Sequence, residues 1–258
     1  MIKLVASDLD GTILLNGAQE VDESLIKVVD HLTEQGVIFA PASGRQRASL
    51  QRLFGPIADK LMYIAENGAL VTYHDQVIAK TPMNRELAMR IIEDVDQIPN
   101  CELLISGEHT AYINPKTKEY EYRMTKVVKY HTTFIDDFHN VPEDILKIAV
   151  CDLSGIKNSK EHFLGKWSKL AATAVSGKLY LDFTDLSANK GNAMKQIQKK
   201  MGISPDECMA FGDNFNDLEM LESVTHSYAM EKAVDEIKKH AEHVTPWVEQ
   251  TLREKFHL

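Results

Sequence analysis

Asp8-Leu9-Asp10-Gly11-Thr12 is the stretch that decides the reading of this chain. The residues before it, Ile2 to Ala6, are mostly apolar and predict a buried strand. Two carboxylates two positions apart then stand at the strand's end, and Gly11 lets the chain turn sharply away. That arrangement suits one chemistry. One carboxylate attacks a phosphorus atom, its neighbour moves a proton, and a divalent cation holds the charges together. Alone, the five residues also fit an acidic turn after a strand, so the surrounding sequence has to decide.

Outward from this stretch, strand and helix alternate. Ile2–Ser7 is a strand, and Asp22–Gln35 has helical spacing (Leu25, Val28, Val29, Leu32) ended by Gly36. Val37–Pro41 predicts a second strand, Arg45–Phe54 a helix and Met62–Ala65 a third strand. Asn67-Gly68 marks a turn, and Ala69–Tyr73 with Gln76–Lys80 form a small hairpin. From Pro82 to Thr184 the character changes. A helix, Asn84–Asp96, opens the segment, and strands follow at Glu102–Ile105, Thr110–Ile113, Ile145–Cys151 and Leu179–Phe183. From Lys190 the alternation resumes, with helices Gly191–Met201, Phe215–Leu221, Val234–His240 and Trp247–Phe256. The strands there are Glu207–Phe211, Val224–Ala229 and His243–Thr245. The fold class is therefore α/β: a Rossmann-like parallel-sheet core from residues 1–81 and 185–258, with an inserted α+β cap at 82–184.

The composition of the 258 residues, 44% hydrophobic and 26% charged, allows a sizeable core and a charged surface. No apolar run approaches the ~20 residues of a membrane span. Met1-Ile2-Lys3 leads straight into a strand, so no secretory signal is expected and the cytoplasm is the expected location. A net charge of −9 argues against nucleic acid or an anionic membrane as partner, but not against a small phosphorylated metabolite. Cys101, Cys151 and Cys208 are scattered and odd in number, as reduced thiols are, and lack metal-ligand spacing. Oligomeric state leaves no mark on the sequence.

In an open α/β sheet, ligands sit outside the carboxyl ends of the strands. The polar motifs fall at such ends: Asp8/Asp10, Ser43-Gly44-Arg45, and Gly212-Asp213-Asn214-Phe215-Asn216-Asp217, with Asn189-Lys190-Gly191 opening the helix after the insertion. Asp8 is the candidate nucleophile and Asp10 the candidate general acid and base. Ser43 can donate its hydroxyl to a phosphoryl oxygen, beside backbone N–H groups at a helix start; it also reads as a plain helix cap. Lys190 supplies a point charge to the same oxygens. Asp8, Asp213 and the backbone carbonyl of Asp10 are candidate ligands for Mg²⁺. Asp217, one helical turn on, is better placed to hold Lys190 or a metal-bound water, and Asn216 to contact substrate or brace the site. His240 and His243 have a zinc-like spacing but no further ligand nearby, and Asn67-Gly68 is read as a turn rather than a contact.

With these residues in hand, the chain resembles the haloacid dehalogenase-like superfamily of phosphohydrolases, and within it the Cof-type branch with a large α/β cap. The resemblance rests on Asp8-Leu9-Asp10-Gly11-Thr12, Ser43-Gly44-Arg45, Asn67-Gly68-Ala69, Lys190-Gly191 and the Gly212–Asp217 loop, in that order, and on the position of the insertion. It implies that Asp8 is the nucleophile, Asp10 the acid/base, Ser43 and Lys190 the phosphate grips and Asp213 a Mg²⁺ ligand. It also implies phosphate- or substrate-binding places for Thr12, Gly44, Arg45 and Asn216. Ser43 stands where Thr is common, keeping the hydroxyl. Ala229-Met230-Glu231-Lys232-Ala233 replaces the common Ala-Met-Gly-Asn-Ala, and the family's Asn- and Asp-rich loop before the last helix is absent.

The expected enzyme is a phosphoric monoester hydrolase: a Mg²⁺-dependent phosphatase acting on a small phosphorylated metabolite through an aspartyl-phosphate. Sugar phosphates are the default substrate that the resemblance implies, with nucleotides, flavin mononucleotide and pyridoxal phosphate left open. A phosphomutase uses the same two aspartates, and a non-catalytic regulatory protein keeps the fold without turnover. Intact Asp8, Asp10, Lys190 and Asp213 speak against the latter. The cap is expected to act as a specificity lid, with Tyr120, Tyr122, Arg123 and His131 either lining the substrate site or packing within the cap.

Overall fold

The computed structural model describes residues 1–258. In chain order its main elements are β1 (Leu4–Asp8), α1 (Glu23–Glu34), β2 (Ile38–Ala42), α2 (Arg47–Phe54), β3 (Met62–Ala65), β4 (Leu70–Tyr73) and β5 (Gln76–Lys80). Next come α3 (Arg85–Asp96), β6 (Cys101–Ser106), β7 (Ala111–Ile113), α4 (Lys118–Tyr122), β8 (Thr132–Phe134), β9 (Lys147–Asp152), α5 (Lys160–Trp167), β10 (Ala172–Ser176) and β11 (Tyr180–Thr184). The last are α6 (Lys190–Met201), β12 (Cys208–Gly212), α7 (Leu218–Glu222), β13 (His226–Met230), α8 (Asp235–Lys238), β14 (His243–Thr245) and α9 (Val248–Phe256). No helix is long and apolar enough to cross a membrane. The chain divides into two compact units, Met1–Lys80 with Asn189–Leu258, and Thr81–Ala188.

The first unit is built on an eight-stranded sheet in the order β14-β13-β12-β1-β2-β3-β4-β5. Strands from β14 to β3 run parallel, and β4 and β5 add an antiparallel edge. All five residues of β1 are buried, which is why its sequence is an apolar run rather than an alternation. Pro41 sits inside β2 although it has no N–H to give, and β2 meets β3 through a single pair, Ala42↔Ile64. Helices cover the sheet because they are amphipathic and capped. Asp22 accepts from the Ser24 N–H at the start of α1, which buries Leu25, Val28, Val29 and Leu32. Asn189 accepts from the Asn192 N–H at the start of α6, and Gly202 ends it in the left-handed region.

The second unit has a six-stranded sheet in the order β10-β11-β9-β6-β7-β8. One face packs on α3 and α5 through Ile91, Ile92, Val95, Phe163 and Trp167. The other packs on α4 through Tyr120 and on the helical turn after it, Arg123–Val128, through Met124. Asp94 clamps α3 to α5, accepting from His162 Nε2 (3.0 Å), Lys166 Nζ (2.5 Å) and Trp167 Nε1 (2.8 Å).

Several details differ from the sequence reading. The strands β8 and β10 were not expected; both lie at sheet edges and carry exposed side chains, so they lack a buried period. Arg123–Val128 winds as a π-helix, which no local pattern announces. The helix expected at Val234–His240 is only the four residues of α8. Cys101, Cys151 and Cys208 are buried free thiols, and burial pushes each up to about 11.

Candidate active site

β1 delivers Asp8 to the carboxyl edge of the first unit's sheet, where it is 6% exposed. The start of α6 delivers Lys190, whose side chain is fully buried. The Lys190 ammonium donates to Asp8 Oδ1 and, over 2.5 Å, to Asp217 Oδ1. The other oxygen of Asp217 accepts the backbone N–H groups of Asp213 (3.0 Å) and Asn214 (3.1 Å). Asp217 therefore spends both oxygens holding Lys190 and the loop that carries Asp213. Carboxylate oxygens of Asp8, Asp213 and Asp217 all lie within 4.8 Å of one another.

Gly11 is required at this point. Its φ is +101°, and a Cβ there would come within 2.2 Å of Asp213 Oδ2. The Thr12 hydroxyl donates to Asp213 Oδ1 over 3.2 Å, so the turn after β1 is fastened to the acidic loop 201 residues later in the chain.

The electrostatics follow from burial. Asp8 is pushed up to about 7, chiefly by burial and only partly opposed by Lys190. Asp213 is raised by burial and by the charge of Asp217. Burial pulls the Lys190 ammonium down, but Asp8 and Asp217 more than offset this and hold it above the usual lysine value. Three carboxylates facing one ammonium leave uncompensated negative charge. With Asp217 committed, the oxygens of Asp8 and Asp213 remain as an all-oxygen donor set that fits a hard divalent cation.

Asp10 is half exposed and forms a two-pronged pair with Arg45, Nε to Oδ2 at 3.0 Å and Nη2 to Oδ1 at 2.5 Å. Arg45, expected on the substrate side, thus also orients the candidate acid/base. Ser43 is buried, and its Oγ accepts the Arg45 N–H over 3.2 Å. The helix α2 begins only at Arg47, with Gln46 at its cap, so Ser43 is not the cap of that helix. Asn216 lies exposed on the turn that Asn214 and Asp217 cap.

Asn67-Gly68 forms the turn between β3 and β4, as expected, but does more. The Asn67 N–H donates to Ser43 O (2.9 Å) and the Glu66 N–H to Arg45 O (3.1 Å), bracing the loop that holds Ser43. Gly68, at φ +93°, lies so close to Asn189 that a Cβ would come within 2.3 Å of its carbonyl oxygen. Its value as a seat for the start of α6 has no sequence signal beyond the glycine itself.

Of the cap candidates, Tyr120 is fully buried in the cluster under α4, its hydroxyl unpaired. Arg123 Nε donates to the Tyr180 hydroxyl over 2.7 Å, and Tyr122 is exposed. His131 Nδ1 lies 3.2 Å from the His109 carbonyl oxygen. His240 pairs with Glu222 (2.7 Å) while His243 packs against Tyr228, so the two histidines share no ligand position.

A mostly parallel sheet with a second unit inserted, and buried carboxylates at its carboxyl edge, makes this an α/β protein of the doubly wound type. A family model described as haloacid dehalogenase-like hydrolase matches residues 5–251, and the chain belongs to that family. The expected enzyme class, a phosphoric monoester hydrolase, agrees with the phosphatase names its relatives carry.

The chain is 26% identical to the 5-amino-6-(5-phospho-D-ribitylamino)uracil phosphatase YbjI of Escherichia coli K12, over 90% of this chain and 86% of that one. It is 28% identical to YwtE of Bacillus subtilis, a phosphatase named for the same compound, over 95% and 93%. A crystal structure from Eubacterium rectale superposes with a TM-score of 0.86 at 28% identity, covering 98% of this chain and 99% of that one. A Thermotoga maritima structure at 23% identity and a TM-score of 0.82, covering 98% and 97%, shares the fold.

Proposed function

We propose that this protein is a Mg²⁺-dependent phosphatase that hydrolyses a small phosphorylated metabolite, a sugar or polyol phosphate, through an aspartyl-phosphate on Asp8. The observation that carries the reading is the fully buried Lys190 held between Asp8 and Asp217, with Asp213 beside them. A lysine with no exposed atoms between two carboxylates is a costly arrangement for stability alone. It suits a site that must receive a phosphate dianion next to a carboxylate nucleophile. Relatives named for small phosphorylated compounds support the substrate class.

In the first step an oxygen of Asp8 attacks phosphorus, and the bond to the ester oxygen breaks. Asp10, protonated at that stage, gives its proton to the leaving alkoxide, so a neutral alcohol departs. In the second step Asp10, now a carboxylate, takes a proton from water. The hydroxide attacks phosphorus, inorganic phosphate leaves, and the Asp8 carboxylate is restored. Lys190, the Ser43 hydroxyl and the N–H groups of the Gly44-Arg45 loop are the donors assigned to the phosphoryl oxygens. Thr12 fixes Asp213, and Arg45 keeps Asp10 aimed. Asp8, Asp213 and the Asp10 carbonyl would hold Mg²⁺, which supplies positive charge against the phosphate and the nucleophile when bound.

The test is release of inorganic phosphate from a panel of phosphorylated metabolites, with and without Mg²⁺, beside Asp8→Asn. Mg²⁺-dependent release that vanishes in the variant supports the reading. Transfer between positions of one sugar, with no net release, would replace it with a phosphomutase.

A further inference from the structure

The chain contains two Asn-Gly pairs, Asn16-Gly17 and Asn67-Gly68, both in the first unit. Locally they are alike. Asn16 has φ 56° and ψ 28°, and Asn67 has φ 55° and ψ 31°, each inside a short helical turn. The glycines that follow have φ of +78° and +93°. Both asparagines are followed by the same dipeptide, Gly-Ala.

Tertiary packing separates them. Asn67 is half-buried, and its backbone N–H donates to Ser43 O over 2.9 Å. Glu66, just before it, is buried and donates its N–H to Arg45 O over 3.1 Å. Gly68 is seated against Asn189, whose carbonyl oxygen would stand 2.3 Å from an added Cβ. The turn is thus pinned on both sides of Asn67. Asn16 lies instead in an exposed run, residues 16 to 20, and nothing comes within 4 Å of the place a Gly17 Cβ would take. The Asn16 amide oxygen accepts from Lys232 Nζ over 2.9 Å, and that lysine is itself exposed.

Asparagine before glycine holds an electrophile and a nucleophile within reach of a five-membered ring. The electrophile is the side-chain carbonyl carbon, and the nucleophile is the next backbone nitrogen. To meet, they must turn about the asparagine ψ angle, away from the left-handed conformation that both residues adopt. A glycine at the second position hinders this least, having no Cβ. At Asn67 the turn would have to leave its seat on Asn189 and its bonds to the Ser43 loop. At Asn16 it moves into solvent.

We propose that Asn16 is a site of spontaneous covalent modification and that Asn67 is protected by the fold. The Gly17 nitrogen attacks Asn16 Cγ, a C–N bond forms, and the Cγ–Nδ2 bond breaks. The proton of the Gly17 N–H departs with Nδ2, so ammonia leaves and a neutral succinimide remains. Water then opens the ring. Hydrolysis at Cγ gives aspartate, and hydrolysis at the main-chain carbonyl carbon gives isoaspartate. No electrons are exchanged, and water is the one co-reactant. The aspartate puts a carboxylate where the neutral amide met Lys232, so a hydrogen bond becomes an ion pair. The isoaspartate adds one main-chain atom to the stretch between Asp10 and α1. Neither step depends on the reaction proposed for the active site.

The experiment incubates the folded, full-length protein in mildly alkaline buffer and follows the peptides bearing Asn16 and Asn67 by mass spectrometry. Each product is heavier than its parent by about 1 Da. Asn16 should convert at least about fivefold faster than Asn67, because opening the second turn costs the two backbone hydrogen bonds that hold it. In urea strong enough to unfold the chain, the two rates should come within about threefold of each other, since the packing that separates them is gone. Asn16→Gln should abolish the gain in its own peptide and leave that of Asn67 as it was. A smaller ratio in the folded protein, or a preference for Asn16 that persists in urea, overturns the proposal.

Discussion

Asp217→Asn is the most informative single substitution in the core, because the structure fixes its cost from two sides. Asp217 is fully buried, with one oxygen 2.5 Å from Lys190 Nζ and the other accepting two N–H groups at 3.0 and 3.1 Å. Asparagine has one oxygen and one NH₂ at these places. If its oxygen faces Lys190, the NH₂ confronts the N–H groups of Asp213 and Asn214. If it is turned round, the NH₂ confronts the ammonium. Either way a charge-assisted bond worth about 1.5–3 kcal/mol is lost and a buried donor is stranded at about 1–3 kcal/mol. Together these approach the ~3–5 kcal/mol typical of breaking a buried ion pair. Urea unfolding followed by the fluorescence of Trp247, in the same unit, reads the loss directly. The second consequence is functional: either the loop bearing Asp213 loses both tethers or Lys190 loses its partner beside the metal ligands. The Mg²⁺ concentration for half-maximal phosphate release should rise by about 10–100-fold, with kcat at saturating Mg²⁺ reduced less. A stability change below about 0.5 kcal/mol with an unchanged Mg²⁺ requirement would refute the assignment of Asp217 as the brace of this site.

Asp8→Asn should abolish phosphate release while the melting temperature is kept or raised, since the amide removes a buried carboxyl already pushed up to about 7; residual turnover near the wild-type rate would remove Asp8 as nucleophile. EDTA should stop phosphate release and Mg²⁺ restore it, with the far-ultraviolet circular dichroism unchanged; activity that persists in EDTA would leave Asp213 without its metal role. In the second unit, burial alone would raise Asp94, but hydrogen bonds from Lys166, Trp167 and His162 hold it below the usual carboxylate value. A depressed carboxylate stabilises the fold above its unfolded pKa and loses that contribution as pH falls through the folded value. Asp94→Asn should therefore cost about 1.5–3 kcal/mol at pH 7, and the gap to the wild type should close as the pH approaches ~3. Melts followed by Trp167 fluorescence would show this, and a gap independent of pH would contradict it.

What the sequence makes legible and what it hides differ in physical kind. Asp8, Lys190, Asp213 and Asp217 are found because each sits at a strand end or helix start that apolar periodicity locates, and an ionisable residue there stands out. The pairing of Asp10 with Arg45, the Thr12–Asp213 bond and the seating of Gly68 on Asn189 are contacts between distant parts of the chain. They depend on how loops lie against one another, for which a single sequence carries no period. The second unit is less legible for a related reason. Its edge strands β8 and β10 bury too little to impose alternation, and the π-helical Arg123–Val128 is set by packing rather than propensity.

The two departures from the family pattern also acquire a common meaning. Lys232, in the altered Ala229–Ala233 loop, donates to Asn16 Oδ1 over 2.9 Å. Trp247, which follows directly where the acidic loop is absent, is 59% exposed. It lines a cavity of about 350 Å³ with Thr12, Ile13 and Leu15. Both changes therefore act on the same stretch, the one that leaves Asp10 and leads to α1. The residues assigned to phosphoryl transfer lie under different constraints: Lys190 and Asp217 are locked by mutual burial, and Gly11 by the 2.2 Å approach its missing Cβ permits. Substitution there breaks an ion pair or a turn. The stretch from Asn16 to Glu20 is exposed and is held by single polar bonds that other residues can replace. A substitution in that stretch is therefore expected to cost less than one among Asp8, Lys190 and Asp217, whose mutual burial leaves little freedom.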